Sequence, residues 1–254
     1  MTIKGWLIGL LCVAPLYQTG LVLACSPAEF AVAIDVGHSL KSPGAVSARG
    51  VREFQFNREL AEAVVNALSA AGFHSSFLIN GDGRIPDLRQ RVTEAGRSHA
   101  DLFISIHHDS VQPRYLSNWT LDGVTRRYSD RFRGFSLFVS AKNAHFDDSR
   151  TFAELLGRAL TEQALTPTLH HAEPIKGESR PLLDASLGLY RYDDLVVLKG
   201  AAMPAVLIEA GVILNRDEEL LIAHPAYKQR IGTAIVSSVS EFCDKPATGH
   251  GTRD

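Results

Sequence analysis

Three apolar segments of the sequence end at side chains that can bind a metal or transfer a proton. The segment "AVAIDVGH" ends at His38, "DLFISIHH" ends at His107 and His108, and "PAVLIEAG" carries Glu209 just behind its apolar run. If the segments are parallel strands, their carboxyl ends meet at one edge of a sheet, which is where open α/β sheets bind ligands. We therefore expect these four side chains, far apart in the chain, to lie close together.

Glu53 is a further candidate for the same edge. It follows the loop "SLKSPGAVSARGVR" and begins a long helical pattern. A helix that follows the first strand starts on the side where that strand ends, and this places Glu53 near His38. An acidic side chain in a first helical turn is also stabilised by the helix dipole, so a structural role explains Glu53 equally well at this point.

These residue types suggest hydrolysis assisted by a metal. Two imidazoles, one carboxylate and a free position form the ligand set of a catalytic zinc site. Zinc in such a set acidifies water, and a carboxylate outside the set can accept the proton as water attacks a carbonyl. Glu209 fits that second role. On spacing alone the alternative stays open, because single histidines often cap strands or satisfy buried polar groups.

Short apolar runs alternate with longer helical patterns along the whole chain, and this predicts an α/β fold. We expect a single domain with a twisted, mostly parallel sheet of about six strands and helices on both faces. The predicted strands are 31–36, 73–79, 102–106, 135–139, 195–198 and 205–208, and the predicted helices are 53–71, 86–99, 151–163 and 226–242.

Two stretches, 111–133 and 164–192, do not fit the alternation and are predicted to be long irregular connections. Long loops of this kind often form the walls of a binding cleft. The first stretch is rich in arginine and aromatic residues. A solvated loop explains that composition most simply. The alternative is a cleft wall that contacts sugars or an anionic polymer.

Residues 1–28 have the layout of a secretory signal peptide, because Lys4 is their only charge and a long apolar run follows it. We therefore predict an exported protein of the periplasm or cell envelope, with a folded domain over 29–243 and a polar tail over 244–254. The segment "LVLAC" loosely resembles a lipobox, so a lipid anchor at Cys25 is the alternative. No other segment is apolar enough to span a membrane.

The composition indicates which classes of partner to expect and which interactions stabilise the fold. The formal net charge is −2, so nucleic acid is not an expected partner. Only three cysteines are present, and Cys12 lies within the predicted signal peptide. A disulfide framework is therefore not expected to hold the fold together, and burial of apolar side chains must do so.

Three separated motifs resemble those of the zinc-dependent N-acetylmuramoyl-L-alanine amidases of the type-3 amidase family, which trim bacterial cell walls. The first comprises "IDVGHS", "PGA" and "GVREFQFN", although Val36 and Ser39 stand where the family has proline and glycine. The second is "ADLFISIHHDS", preceded by "LRQRVTEA", and the third is "MPAVLIEAGVILNRDEE", preceded by "YRYDDLVVLKGAA". The resemblance covers most of residues 31–240.

Carried over residue by residue, the resemblance implies that Zn2+ is the cofactor and that His38, Glu53 and His107 are its ligands. It implies His107 rather than His108, because the family motif places the ligand directly after the Ser-Ile pair. It also implies that Glu209 is the catalytic base.

Three polar residues near these positions are candidates for a supporting role. Asp35 could orient a ligand imidazole through a hydrogen bond, or it could be a buried strand residue that caps a turn. Asn57 lies one turn beyond Glu53, and Asp109 closes the second motif, but ordinary helix and loop residues look the same in sequence. The other histidines are expected in surface or capping positions: His74, His99, His145, His170, His171, His224 and His250.

The resemblance implies hydrolysis of the amide bond between N-acetylmuramic acid and L-alanine, in peptidoglycan or in muropeptide fragments. A zinc peptidase that cuts within the stem peptide and a non-catalytic wall-binding regulator are the alternatives. Some relatives carry an extra helix that plugs the zinc until a protein regulator removes it. Residues 141–192 are short for such a plug, but four glutamates there could reach a metal: Glu154, Glu162, Glu173 and Glu178.

Overall fold

The sheet forms from short runs of β-branched, aliphatic and aromatic residues, which favour strands. The computed structural model describes residues 25–245, so most of the predicted signal peptide (residues 1–24) and most of the polar tail (residues 246–254) lie outside the described residues. The strands are β1 (Val32–Val36), β2 (Phe77–Ile79), β3 (Leu102–Asp109), β4 (Ser117–Leu121), β5 (Val124–Tyr128), β6 (Ser136–Val139), β7 (Leu182–Asp184), β8 (Leu189–Arg191) and β9 (Ala205–Val212).

Helices cover both faces of the sheet because the central strands are apolar on both sides. In β3, Leu102, Ile104 and Ile106 belong to one buried cluster, whereas Phe103 belongs to another on the opposite face. Complete burial of one such side chain contributes about 1.5–3 kcal/mol. The helices are α1 (Glu53–Ala70), α2 (Leu88–Arg97), α3 (Phe146–Glu162), α4 (Val196–Gly200), α5 (Arg216–Ala223) and α6 (Pro225–Cys243).

The strand order in the main sheet is β2-β1-β3-β9-β6-β8-β7. Strands β2, β1, β3 and β9 are parallel neighbours, β6 runs antiparallel to β9, β8 is parallel to β6, and β7 is antiparallel to β8. The predicted α/β domain with a mostly parallel sheet is therefore confirmed, with seven strands. The carboxyl ends of β1, β3 and β9 lie side by side at one edge.

The prediction of a strand over 195–198 is wrong. Leu195 is the N-cap of α4 and residues 196–198 are its first turn, which buries Val197 and Leu198 in the same apolar cluster as Val92 of α2. A short apolar run has no clear periodicity, so the sequence alone does not separate a buried strand from one turn of buried helix.

The two stretches predicted as irregular contain regular structure. Within 111–133, β4 and β5 form an antiparallel hairpin, and its turn is the pair Asp122-Gly123, both with positive φ. An Asp-Gly pair is a strong hairpin signal, and the sequence reasoning overlooked it. Within 164–192, β7 and β8 add two strands to the sheet, and residues His170–Ala172 form a 3-10 turn.

A disulfide joins Cys25, the first described residue, to Cys243 at the end of α6, with 5.4 Å between their Cα atoms. Phe30 and Phe242 pack edge to face beside it. The cysteine count did not predict a disulfide framework, but this cross-link closes a loop across a sequence separation of 218 residues. Within residues 25–245, every helix is too short or too polar to cross a membrane.

Replacing both cysteines, Cys25→Ser with Cys243→Ser, should lower the free energy of unfolding by about 2–4 kcal/mol, because the unfolded chain regains the entropy that the cross-link removes. Denaturant unfolding under non-reducing conditions measures this loss. Adding a reductant to the parent chain is the control and should produce the same loss. A parent chain whose stability is indifferent to the reductant would contradict the cross-link.

Candidate active site

The chain turns sharply where β1 ends, and this turn presents the His38 side chain. His38 has φ 68°, a left-handed conformation that is costly for a residue with a side chain. Asn80 Nδ2 donates to the carbonyls of Val36 at 2.9 Å and His38 at 2.7 Å. The Arg91 guanidinium donates to the same two carbonyls. Two side chains from other elements therefore hold the turn that carries His38.

Arg91 is in turn held by Asp35, and both side chains are buried. Arg91 Nη1 lies 3.3 Å from Asp35 Oδ1, and Ser105 Oγ donates to Asp35 Oδ2 at 2.7 Å. Burial raises the pKa of Asp35, while Arg91 and Ser105 oppose that rise. Asp35 thus anchors the arginine that shapes the turn of His38. Its hydrogen bonds go to Arg91 and Ser105 instead of a ligand imidazole.

Glu53, the first residue of α1, lies between two imidazoles. Its Oε2 is 2.8 Å from His38 Nε2, and its Oε1 is 3.0 Å from His107 Nδ1. The Ala45 amide and the Asn57 side chain also donate to this carboxylate. Burial opposes the negative charge, but the hydrogen bonds from His107 and His38 hold the pKa of Glu53 well below its usual range. Glu53 is therefore a buried, ionised carboxylate.

Glycine is required at two positions beside these groups. A Cβ on Gly37 would lie 2.4 Å from His107 Nε2, and a Cβ on Gly44 would lie 2.4 Å from Glu53 Oε2. Gly44 also has φ 76°, which favours glycine. The two glycines let the backbone approach the three side chains closely enough for them to converge.

The neighbouring residues His107 and His108 have different surroundings because successive strand residues point to opposite faces. His108 is buried, and its Nδ1 lies 2.8 Å from Asn57 Oδ1. Burial lowers the pKa of His108 to about 3, so this imidazole is neutral. Asn57 therefore connects two parts of the site, since its amide nitrogen contacts Glu53 and its amide oxygen contacts His108.

Glu209 lies beside His107, because β9 pairs with β3 in parallel and these two residues are register partners. Both line one cavity with His38 and Glu53. The Glu209 Oε2 atom is buried without a hydrogen-bond partner among the described residues. Burial raises the pKa of Glu209 well above its usual range, and the charges of Asp109 and Glu53 raise it further. A carboxylate in this state can accept and return a proton.

The side chains of His38, Glu53 and His107 could hold a divalent metal ion such as zinc. One ligand atom each from His38, Glu53 and His107 lies within 4.8 Å of the other two. The set offers two imidazole nitrogens and one ionised carboxylate, which is a donor set of catalytic zinc sites. Glu209 lines the same cavity and offers a further carboxylate, whose Oε2 has no hydrogen-bond partner in the described part of the chain.

Asp109 forms a separate cluster with two histidines. Its Oδ2 lies 2.9 Å from His171 Nε2 and 3.1 Å from His170 Nε2. The expectation of surface or capping roles is wrong for these two histidines, because both rings are largely buried. Burial lowers the pKa of His171, but Asp109 and Glu178 raise it to about 9 overall. The sequence signal was a His-His pair inside a segment predicted to form a cleft wall.

The glutamates of segment 141–192 do not reach the site formed by His38, Glu53 and His107. Glu178 accepts from His171 and Gln112, and Glu173 accepts from the Tyr115 hydroxyl. Among residues 25–245, the groups close enough to share a metal with His38 include none of the four glutamates of segment 141–192.

The two long connections supply walls of an open cleft above the site, as expected. Residues Val111, Gln112 and Pro113 come from the first, and Glu178, Arg180 and Tyr192 come from the second. Trp119 of the hairpin β4–β5 contacts the guanidinium groups of Arg49 and Arg216, which lie 5.5 and 5.2 Å from the centre of its ring. Both arginines come from outside the stretch 111–133, so these cation–aromatic contacts tie the hairpin to the rest of the domain.

Comparison with known proteins agrees with the family resemblance of the sequence motifs. A family model described as N-acetylmuramoyl-L-alanine amidase matches residues 32–241. The curated N-acetylmuramoyl-L-alanine amidase AmiA of Escherichia coli is 29% identical over an alignment of 222 positions that covers 83% of this chain and 75% of that protein.

Solved structures share the fold. The N-acetylmuramyl-L-alanine amidase Ami1 of Mycobacterium smegmatis superposes with a TM-score of 0.66 at 22% identity, over 86% of this chain and 98% of that one. The catalytic domain of CwlV, an amidase of Bacillus (Paenibacillus) polymyxa var. colistinus, gives a TM-score of 0.64 at 24% identity, over 85% of this chain and 98% of that one.

Arg91→Met should lower the free energy of unfolding by about 3–5 kcal/mol, because it leaves the buried Asp35 carboxylate without its partner. Denaturant unfolding measures the change. Arg89→Met is the matched control, since Arg89 lies exposed on the same helix. Equal stabilities for the two variants would contradict the role of Arg91 in holding the turn.

Proposed function

This chain belongs to the N-acetylmuramoyl-L-alanine amidase family, and we propose that it is a zinc-dependent enzyme acting on the bond between N-acetylmuramic acid and L-alanine in peptidoglycan. One observation carries the zinc-dependent part of the proposal. An ionised carboxylate, Glu53, lies between His38 and His107, and a second carboxylate, Glu209, lines the same cavity with an Oε2 atom that has no hydrogen-bond partner among residues 25–245.

The ligands would be His38 Nε2, His107 Nδ1 and the Glu53 carboxylate. When bound there, zinc supplies a Lewis acid that polarises the scissile carbonyl and acidifies water. The chain itself fixes the position of one ligand, because the Ala45 amide and the Asn57 side chain donate hydrogen bonds to the Glu53 carboxylate. Hydrogen bonds of this kind orient the ligands of a metal, and losing one commonly lowers metal affinity by about 10–100-fold.

Glu209 would accept the proton of the attacking water and later donate it to the leaving amine. The geometry supports this role because Glu209 is the register partner of His107, so the base lies beside a ligand. Its Oε2 has no hydrogen-bond partner within the described part of the chain that would have to be displaced first. Positioned proton transfer of this kind contributes about 10²–10⁴-fold to a rate.

The open cleft suits a polymer with peptide branches better than a small metabolite. Arg180 lies at its edge, with its guanidinium 3.6 Å from the centre of the Tyr192 ring. A fixed cation at this place fits the carboxylates of a stem peptide. We propose that Arg180 contacts the peptide part of the substrate while the glycan lies along the cleft.

Export is part of the proposal, and the cross-link between Cys25 and Cys243 supports it, because disulfides persist in oxidising compartments such as the periplasm. A lipid anchor would occupy the same sulfur atom of Cys25, so the anchor and the disulfide exclude each other. We therefore favour a chain that retains Cys25 in the disulfide over a lipid-anchored one. Cleavage after residue 28 would also remove Cys25, so this choice places the cleavage upstream of it.

Digestion of purified peptidoglycan tests the reaction. The parent chain should release intact stem peptides that begin with L-alanine, and a chelator should stop the release until zinc is added back. Mass spectrometry of the products measures both. Peptides trimmed at an internal bond would favour the alternative of a zinc peptidase, and no products in either condition would favour a non-catalytic wall-binding protein.

Glu209→Gln should lower the rate of amide hydrolysis by about 10²–10⁴-fold, because the amide cannot accept the proton from water. Its zinc content should equal that of the parent, since Glu209 is not among the three proposed ligands. Product release and metal analysis measure the two quantities. Glu62→Gln on the exposed side of α1 is the matched control and should cleave as fast as the parent. An active Glu209→Gln variant would contradict the assignment of the base.

A further inference from the structure

A second cluster of metal-binding side chains lies in the same cleft, apart from His38, Glu53 and His107. We propose that Asp109, His170 and His171 bind a second divalent cation, zinc or a similar transition metal, through Asp109 Oδ2 and the Nε2 atoms of the two histidines. The three ligand atoms lie within 4.8 Å of one another. Two imidazoles and one carboxylate are a common set for zinc and other divalent transition metals.

The convergence of both imidazoles on one oxygen is the first argument. Asp109 Oδ2 is 2.9 Å from His171 Nε2 and 3.1 Å from His170 Nε2. His170 Nε2 lies at ion-pair distance from this oxygen but makes no hydrogen bond to it or to any other described residue. The His170 side chain is only 2% exposed, and a buried ring nitrogen that lacks a hydrogen bond within residues 25–245 is the position at which a metal ion would be coordinated.

The second argument concerns the other nitrogen of each ring. His171 Nδ1 lies 2.9 Å from Glu178 Oε2, and His170 Nδ1 lies 2.9 Å from Thr168 Oγ1. Metal-binding histidines are usually oriented in this way, with the free ring nitrogen bonded to a carboxylate or another polar group. Gln112 donates to Glu178 at 2.7 Å and fixes that carboxylate as well. Both Nε2 atoms are thereby directed to the same point.

Charge is the third argument. Asp109 and Glu178 place two carboxylates on the two sides of His171, in a region that is largely buried. A proton on His171 would compensate part of this charge, but it would leave His170 Nε2 without a partner. A divalent cation would compensate the carboxylates and satisfy both imidazoles together. The ion would also connect the end of β3 to the cleft wall that contains residues His170–Ala172.

This site is tested by titrating zinc into the metal-stripped chain. Calorimetry measures the binding, and metal analysis after gel filtration counts the zinc ions that remain bound. The parent should bind two zinc ions per chain. His38→Ala should bind one, and the double variant His170→Ala with His171→Ala should also bind one. Circular dichroism of each variant verifies that it is folded.

Thr168→Val offers a milder change, because it removes the hydrogen bond to His170 Nδ1 and keeps the shape of the side chain. It should weaken the second zinc by about 10–100-fold and leave the first unchanged. Thr166→Val, exposed two residues earlier, is the matched control and should bind both ions as the parent does.

The outcomes separate this site from the proposed catalytic one. A parent chain that saturates with one zinc, which His38→Ala abolishes, would overturn the second site and identify the cluster as an ion pair held by a proton. One zinc that survives His38→Ala but is lost on replacing His170 and His171 would support the second site and overturn the catalytic ligand set.

Discussion

The site depends on one buried anion, the carboxylate of Glu53, which is shared by the imidazoles of His38 and His107. Its position at the first turn of α1 makes it available to the ends of both β1 and β3. The glycines at 37 and 44 are required because any larger residue would meet this cluster at 2.4 Å. The beginning of one helix and the ends of two strands are thus constrained by a single group of three side chains.

The structure around His38 holds this residue in a backbone conformation that is unfavourable in free energy. His38 has a left-handed backbone, and its turn persists because Asn80 and Arg91 bind the carbonyls on either side of it. The buried pair of Arg91 and Asp35 adds little net stability by itself, since desolvation offsets the attraction of the two charges. Its value lies in the fixed position of His38. Strain that neighbouring groups hold in place is common at functional sites.

The sequence predicted the edge of the sheet at which the site lies, because His38, His107 and Glu209 each come at the end of an apolar run and parallel strands bring such ends together. In the structure His38 follows β1, whereas His107 and Glu209 lie within the last residues of β3 and β9. The sequence did not predict that His170 and His171 converge on Asp109. Their place depends on how the connection 164–192 folds onto the end of β3, and loops show no periodicity from which this could be read. Arg91 lies within the segment "LRQRVTEA" that resembles the family motif. Its contact with the turn of His38 is a tertiary interaction that spacing does not reveal.

A zinc-edge anomalous diffraction map of crystals grown with zinc would test the ligand assignment without reference to activity. We predict a peak about 2.0–2.2 Å from His38 Nε2, His107 Nδ1 and a Glu53 carboxylate oxygen, with Glu209 close by but outside the bonding distance. A map in which no peak falls among these three side chains, although zinc is bound elsewhere on the chain, would overturn the proposed ligand set.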